Sequence, residues 1–170
     1  MKANNNDNQL REEIVHLTLL QHHKKYQHGK GAIDTFDCSG LVWFIYHEIC
    51  NIDLFEQGFG MSTTTKIMTS KYGKLTLFEE NSWDKDLDLI KEGDILFFHR
   101  QSLKENIPTK YNKYPGHCGI YLGNEKFIHA SLPKQEVVIS NFKKNPYWMQ
   151  VLVASKDILS DFENNIGYRK

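Results

Sequence analysis

Apolar and polar positions along this chain follow two periods in turn. From residue 10 to about residue 27, Leu10, Ile14, Leu17 and Leu20 recur at steps of three and four, which predicts an amphipathic helix that Gly29 and Gly31 are expected to end. The run at residues 37–49 (DCSGLVWFIYHEI) opens on the cap-competent Asp37 and Ser39 and is then apolar on nearly every face. It predicts a helix that runs through the core. The segment MSTTTKIMTS predicts a short helix of its own. From Gly93 onward the period is that of sheet, with strands expected at residues 94–99 (DILFFH), 117–123 (HCGIYLG) and 126–131 (KFIHAS) and a tight turn at Gly123-Asn124. Further strands are expected at residues 136–139 and 149–154. Helices first and strands after predict an α+β domain in which N-terminal helices pack on one face of an antiparallel sheet.

Composition narrows the class. A chain of 170 residues without internal repeats or a Pro- or Gly-rich linker is expected to form one domain over residues 1–170, with its core at about residues 10–155. The 21 basic and 21 acidic residues cancel, so the long-range field that draws proteins onto nucleic acid or an anionic membrane is missing. No nucleic-acid partner is expected. The 40% hydrophobic and 12% aromatic content argues against disorder, and no apolar run approaches the roughly 20 residues of a membrane span. The first residues, MKANNNDNQLREE, lack the basic and then apolar pattern of a signal peptide, which makes a cytoplasmic location the first expectation. Three cysteines, Cys38, Cys50 and Cys118, form no CxxC pair, so neither a disulfide framework nor a zinc finger is suggested. No metal or cofactor is expected.

Chemistry enters at Cys38. A thiol in the first turn of a helix meets unpaired backbone N–H groups and the positive end of the helix dipole, both of which favour the thiolate. The bland alternative is a small buried cysteine opening an apolar helix. Two histidines weigh against it, since His117 and His129 lie on two runs joined by a tight turn, and strand pairing can bring them together. A Cys–His system needs a base for the thiol proton and a third group that orients the base. Gly40 would let a substrate or another element approach the helix start.

The strings FDCSGLVWFIY, EGDILFF, HCGIYLG and FIHAS, in this order, resemble the NlpC-type family of papain-like cell-wall cysteine peptidases and cover the chain from about Tyr26 to Ala154. The resemblance implies Cys38 as nucleophile, His117 as general base and later general acid, and His129 as the orienting residue. It further implies that the Tyr26 hydroxyl helps bind the oxyanion and that Asp37 and Ser39, beside the cysteine, contact substrate; a half-buried core tyrosine and plain helix capping are the alternatives. Similar enzymes hydrolyse the bond between γ-D-glutamyl and a diamino acid, so a peptidoglycan peptide or muropeptide is the expected substrate. Related thiol enzymes act as amidases or acyltransferases on other γ-glutamyl, isopeptide or lipid substrates, and a binding module without turnover is the rival from another class. Delivery to the wall by a phage or conjugative machine stands beside a cytoplasmic role; the oligomeric state is left open.

Several residues fall outside that pattern. Cys118 stands where the family usually has a small aliphatic residue, and because adjacent strand residues point to opposite faces it is expected in the core, away from the site of His117. Cys50 is expected to be inert, His22 and His23 to be solvated helix residues, and His99 to be a polar contact near the site. The long basic segment RQSLKENIPTKYNKYPG is expected to border the substrate groove as a lid carrying Tyr111 and Tyr114.

Overall fold

A computed structural model describes residues 5–28, 31–32, 34–55, 63–79, 82, 84–99 and 115–161. The chain opens with helix α1 (Asn5–Leu19) and three two-residue strands, β1 (Lys25–Tyr26), β2 (Gly31–Ala32) and β3 (Thr35–Phe36). Helix α2 (Cys38–Cys50), helix α3 (Thr63–Thr69), strand β4 (Lys74–Leu77) and a 3-10 turn at Leu87–Leu89 follow. Strands β5 (Ile95–Phe98), β6 (His117–Gly123), β7 (Lys126–Ser131) and β8 (Glu136–Asn141) come next, and helix α4 (Tyr147–Val151) leads into β9 (Leu152–Asp157).

Among the described residues nine strands form one sheet in the order β2-β3-β1-β8-β7-β6-β5-β9-β4. Strand β5 shows why it lies at the centre. Ile95, Leu96, Phe97 and Phe98 are all fully buried, with Ile95 and Phe97 on the face covered by α1, α2 and α3 and Leu96 and Phe98 on the other. Each such side chain stabilises the fold by roughly 1.5–3 kcal/mol relative to exposure, so a strand apolar on both faces is held between two cores. The second core gathers Phe127, Phe142, Val151 and Leu152, with Trp148 of α4 packed against it.

The structure is mixed α+β, and several expectations need correction. Helix α1 ends at Leu19, not near residue 27: Leu20 is exposed, the Gln21 amide donates to the Leu17 carbonyl, and His23 takes a left-handed φ of 68°, which turns the chain into β1. Strands therefore precede α2, and the sheet is not wholly antiparallel, because β1 pairs with β3 in parallel. Residues 149–151 belong to α4, so β9 starts at Leu152; Trp148 and Val151 need a helical offset to reach the second core together. Helices thus cover both faces. The turn between β6 and β7 centres on Asn124-Glu125, both with φ above zero, which is the demand of a type I′ hairpin.

Candidate active site

Strand β3 ends at Phe36, and Asp37 redirects the chain into α2. Asp37 is extended (φ −91°, ψ 179°), and its Oδ1 accepts from the Gly40 N–H at 2.7 Å and the Ser39 hydroxyl at 3.0 Å. That is an N-cap. With Gly40 capped, the backbone N–H groups of Cys38 and Ser39 belong to the first-turn donors that a helix cannot satisfy internally. Cys38, the first residue of α2, is half-buried and free of any disulfide.

Strand pairing builds the partner. His117 opens β6 and His129 lies on β7, where the Ile120–Ile128 pairing brings His129 beside Gly119. A Cβ at Gly119 would lie 2.7 Å from the Ile128 carbonyl oxygen and 3.1 Å from the His129 Cβ, so only glycine lets the two strands close here. The result is a relay of short contacts: His117 Nε2 to His129 Nδ1 at 2.8 Å, and His129 Nε2 to Ser140 Oγ of β8 at 2.9 Å. Trp148 covers it, with its ring centroid 5.9 Å from that of His117 and 4.9 Å from that of His129. Burial, and then the charge of His117, hold His129 well below the usual imidazole range. His129 is therefore held neutral. The consistent tautomer has His117 Nε2–H donating to His129 Nδ1 and His129 Nε2–H donating to Ser140.

With Nε2 committed to His129, Nδ1 is the His117 nitrogen left for Cys38. The Cys38 thiol is held well below the ordinary thiol range, first by a hydrogen bond from Cys118 and then, against the opposing effect of burial, by the hydrogen bond and charge of His117. Cys118 itself is fully buried and pushed well above that range by desolvation and by Cys38. Thr64 of α3 completes the surroundings, its Oγ1 3.9 Å from Cys38 Sγ. Such a site can hold a sulfur anion beside an imidazole in the first turn of a helix, which is what acyl transfer through a thioester requires.

Residues 23–157 match the NlpC/P60 family. The chain belongs to that family. It is 27% identical over 151 residues to the "Probable endopeptidase YafL" of Escherichia coli (strain K12), covering 88% of this chain and 51% of that protein. It is 32% identical over 143 residues to the "Gamma-DL-glutamyl hydrolase" of Bacillus subtilis (strain 168), covering 84% of this chain and 28% of that protein. Among solved structures, NlpC2 from Trichomonas vaginalis superposes with a TM-score of 0.64 at 25% identity, over 93% of this chain and 48% of that one. The chain thus spans about half, or less, of these relatives.

Within this NlpC/P60 domain, Cys38, His117 and His129 come together. Tyr26 sits on β1 across from Phe36, two residues ahead of Cys38, and packs half-buried against the main core. Asp37 is half-buried at the helix start, whereas Ser39 is 3% exposed and shares its hydroxyl between Asp37 and Thr63 Oγ1 (2.7 Å). Cys118 departs from expectation in one respect. It packs in the core as its strand position requires, yet it is also among the groups that hold the Cys38 thiol low. His99 leaves β5 half-buried with its N–H on the Val151 carbonyl (2.8 Å), and the Gly116 N–H, beside His117, donates to the Phe98 carbonyl (3.1 Å). Tyr111 and Tyr114 lie outside the described residues. His22 and His23 fall in the turn after α1, not on a helix, and His23 Nδ1 lies 3.2 Å from the Glu136 carboxylate. Cys50 is buried and pushed up to about 12 by desolvation.

Ser140, Trp148 and Thr64 join the site without a sequence signal, since each depends on pairing or packing with distant segments. Beyond Ser140 and Trp148 opens a cavity of about 290 Å³, also lined by Lys126, Asn141, Lys144 and Asn145.

Proposed function

We propose that this chain is a cysteine peptidase that hydrolyses amide bonds of peptidoglycan stem peptides, with γ-D-glutamyl-diamino acid as the bond cleaved. Cys38 is the nucleophile, His117 the acid–base group and His129 its orienting partner. The observation that carries the reading is the 2.8 Å contact between His117 Nε2 and His129 Nδ1, which leaves His117 Nδ1 for the Cys38 sulfur. The names of the endopeptidase and γ-DL-glutamyl hydrolase relatives support the substrate class.

Chemistry follows from the geometry. The Cys38 thiolate attacks the amide carbonyl carbon, and the oxygen takes up negative charge beside the Cys38 backbone N–H, a donor worth roughly 3–4 kcal/mol in comparable sites. Tyr26 adds its hydroxyl there. His117 Nδ1–H delivers its proton to the leaving amine, the C–N bond breaks, and a thioester joins the acyl group to Sγ. His117, now neutral, takes a proton from water; hydroxide attacks the thioester, the C–S bond breaks, and the carboxylic acid product leaves and gives its proton to solvent as the thiolate and imidazolium return. Throughout, His129 accepts from Nε2–H and keeps the ring from turning, while Trp148 shields that hydrogen bond from water. The Asp37 carboxylate, already oriented by its cap, faces a free substrate amine. The donor-lined cavity beyond Ser140 lies on the imidazole side and takes carboxylates of the leaving portion. If the segment that carries Tyr111 and Tyr114 acts as a lid, deletion of residues 104–113 is expected to raise KM, and unchanged kinetics would refute the lid.

Digestion of purified muropeptides, read by mass spectrometry for wild type and Cys38→Ala, tests the proposal. Wild type is expected to release the peptide that begins with the diamino acid, and Cys38→Ala is expected to release none. Retention of the muropeptide by an inactive wild type would instead identify a binding module, and products enlarged by an added acyl group would identify a transferase.

A further inference from the structure

Strand β9 carries a buried charge to which the mechanism gives no task. Lys156 is 1% exposed and pushed down to about 8 by desolvation. A neutral side chain would avoid the cost of taking an ammonium out of water. The ammonium is instead spent on four oxygens at the C-terminal end of α3: the carbonyls of Ile67 (3.2 Å), Met68 (2.9 Å) and Ser70 (2.7 Å), and Ser70 Oγ (2.9 Å). None of these partners is a carboxylate. A helix of seven residues has few internal hydrogen bonds and leaves its last carbonyls without partners, so a cation there both satisfies them and matches the negative end of the helix dipole.

The other end of α3 meets the start of α2. Thr63 Oγ1 lies 2.7 Å from the Ser39 hydroxyl, and Thr64 Oγ1, on a residue 4% exposed, lies 3.9 Å from Cys38 Sγ. We propose that Lys156 is a positioning residue that acts through α3, fixing the C-terminal end of that helix so that the Thr64 hydroxyl stays against Cys38 Sγ and donates to the thiolate. This inference rests on the assignment of Cys38 as nucleophile. The lever is short, because seven helical residues span only about 10 Å. A hydrogen bond to a charged acceptor is the stronger kind, so a hydroxyl held there favours the anion over the thiol. Lys156 itself touches no reacting atom and exchanges no proton. Asp161 supports its charge and His117 supports that of Cys38, and the variants that test the inference leave both in place.

The test is the rate of iodoacetamide alkylation of Cys38 in the full chain as a function of pH, measured well below the Tm of each variant, for wild type, Lys156→Met, Thr64→Val and the double variant. Thr64→Val removes the donor and is expected to move the alkylation limb to higher pH by about one unit. Lys156→Met leaves the hydroxyl but frees the helix end, and is expected to move the limb the same way by about half as much. The double variant is expected to match Thr64→Val alone, because the placement of a hydroxyl that is gone no longer matters. Ser70→Ala removes one of the four acceptors and replaces Lys156→Met should methionine not fold, with a smaller shift that also disappears beside Thr64→Val. A limb that these anchor variants leave in place while Tm falls, or shifts that add in the double variant, overturns this inference alone and leaves Lys156 a helix anchor. A wild-type limb in the ordinary thiol range overturns the assignment of Cys38 as well.

Discussion

Cys38 and Cys50 begin and end the same helix, and the chain treats them in opposite ways. At the N-terminus the thiol is held well below its usual range, by Cys118 and by the hydrogen bond and charge of His117. At the C-terminus, among apolar residues and nearer to the charge of Glu13, it is pushed up to about 12. Intrinsic chemistry is identical in the two. What differs is the direction of the helix dipole and the identity of what α2 packs against, so reactivity here is a property of position.

Activity gives the largest contrast with which to break that comparison. Cys38→Ala is expected to lower muropeptide cleavage by at least about 10⁴-fold, whereas Cys50→Ala stays within about twofold, because only the first removes the proposed nucleophile. Comparable losses in both variants would end the contrast. The next effect acts on the imidazole side alone. His129→Ala is expected to cost about 10²-fold in kcat/KM with little change in KM, and Gly119→Ala to approach that loss by forcing β7 away from β6. A Gly119→Ala enzyme of full activity would refute the argument for a glycine there.

Stability against pH sharpens the same contrast. The folded Cys50 holds its proton up to about 12 while the unfolded thiol releases it near 9.0, so between those limits the folded state binds more protons. Wild type should lose stability relative to Cys50→Ala as pH rises through that window, with a slope of up to about 1.4 kcal/mol per pH unit. For Cys38 the sign reverses. Its depressed folded value means that the unfolded state binds more protons below 9.0, so wild type gains on Cys38→Ser as pH rises towards 9 and loses that advantage as pH falls through the folded value. Denaturant titrations at several pH values measure both slopes. The smallest effects are at the caps: Asp37→Ala is expected to cost about 1 kcal/mol through the lost bond to the Gly40 N–H, and Asn51→Gly, at a left-handed C-cap with φ of 52°, only a few tenths.

The features legible in the sequence are those that local pattern determines. Helix α2 and the two strands of the β6–β7 hairpin could be read directly, from an apolar run behind a capping Asp37 and two short apolar runs on either side of Asn124, although the turn itself lies one residue later than expected. Cys38, His117 and His129 could be singled out by residue type and by motif. The two-residue strands β1, β2 and β3 could not, since they are too short to show a period, and the end of α1 was hidden because Leu20 continues the helical spacing while pointing into solvent. Residues 149–151 were ambiguous for a related reason: a short apolar run fits strand and helix alike. Ser140 resembles any polar strand residue until the register of β7 and β8 sets it opposite Phe127, on the His129 face. The alternation argument placed Cys118 correctly in the core but could not show that the start of α2 reaches the start of β6, where His117 and Cys118 are both among the groups that hold the Cys38 thiol low.

The central proposal is that His117 and the surroundings of the α2 start make Cys38 the reactive thiol and that the other two thiols are silent. Alkylation by iodoacetamide at neutral pH, quantified for each cysteine by peptide mass spectrometry, tests it most directly. The expected result is labelling of Cys38 at least about 100-fold faster than Cys50 or Cys118, and loss of that selectivity in His117→Ala. Equal labelling of the three cysteines, or a Cys38 rate indifferent to His117, would contradict it.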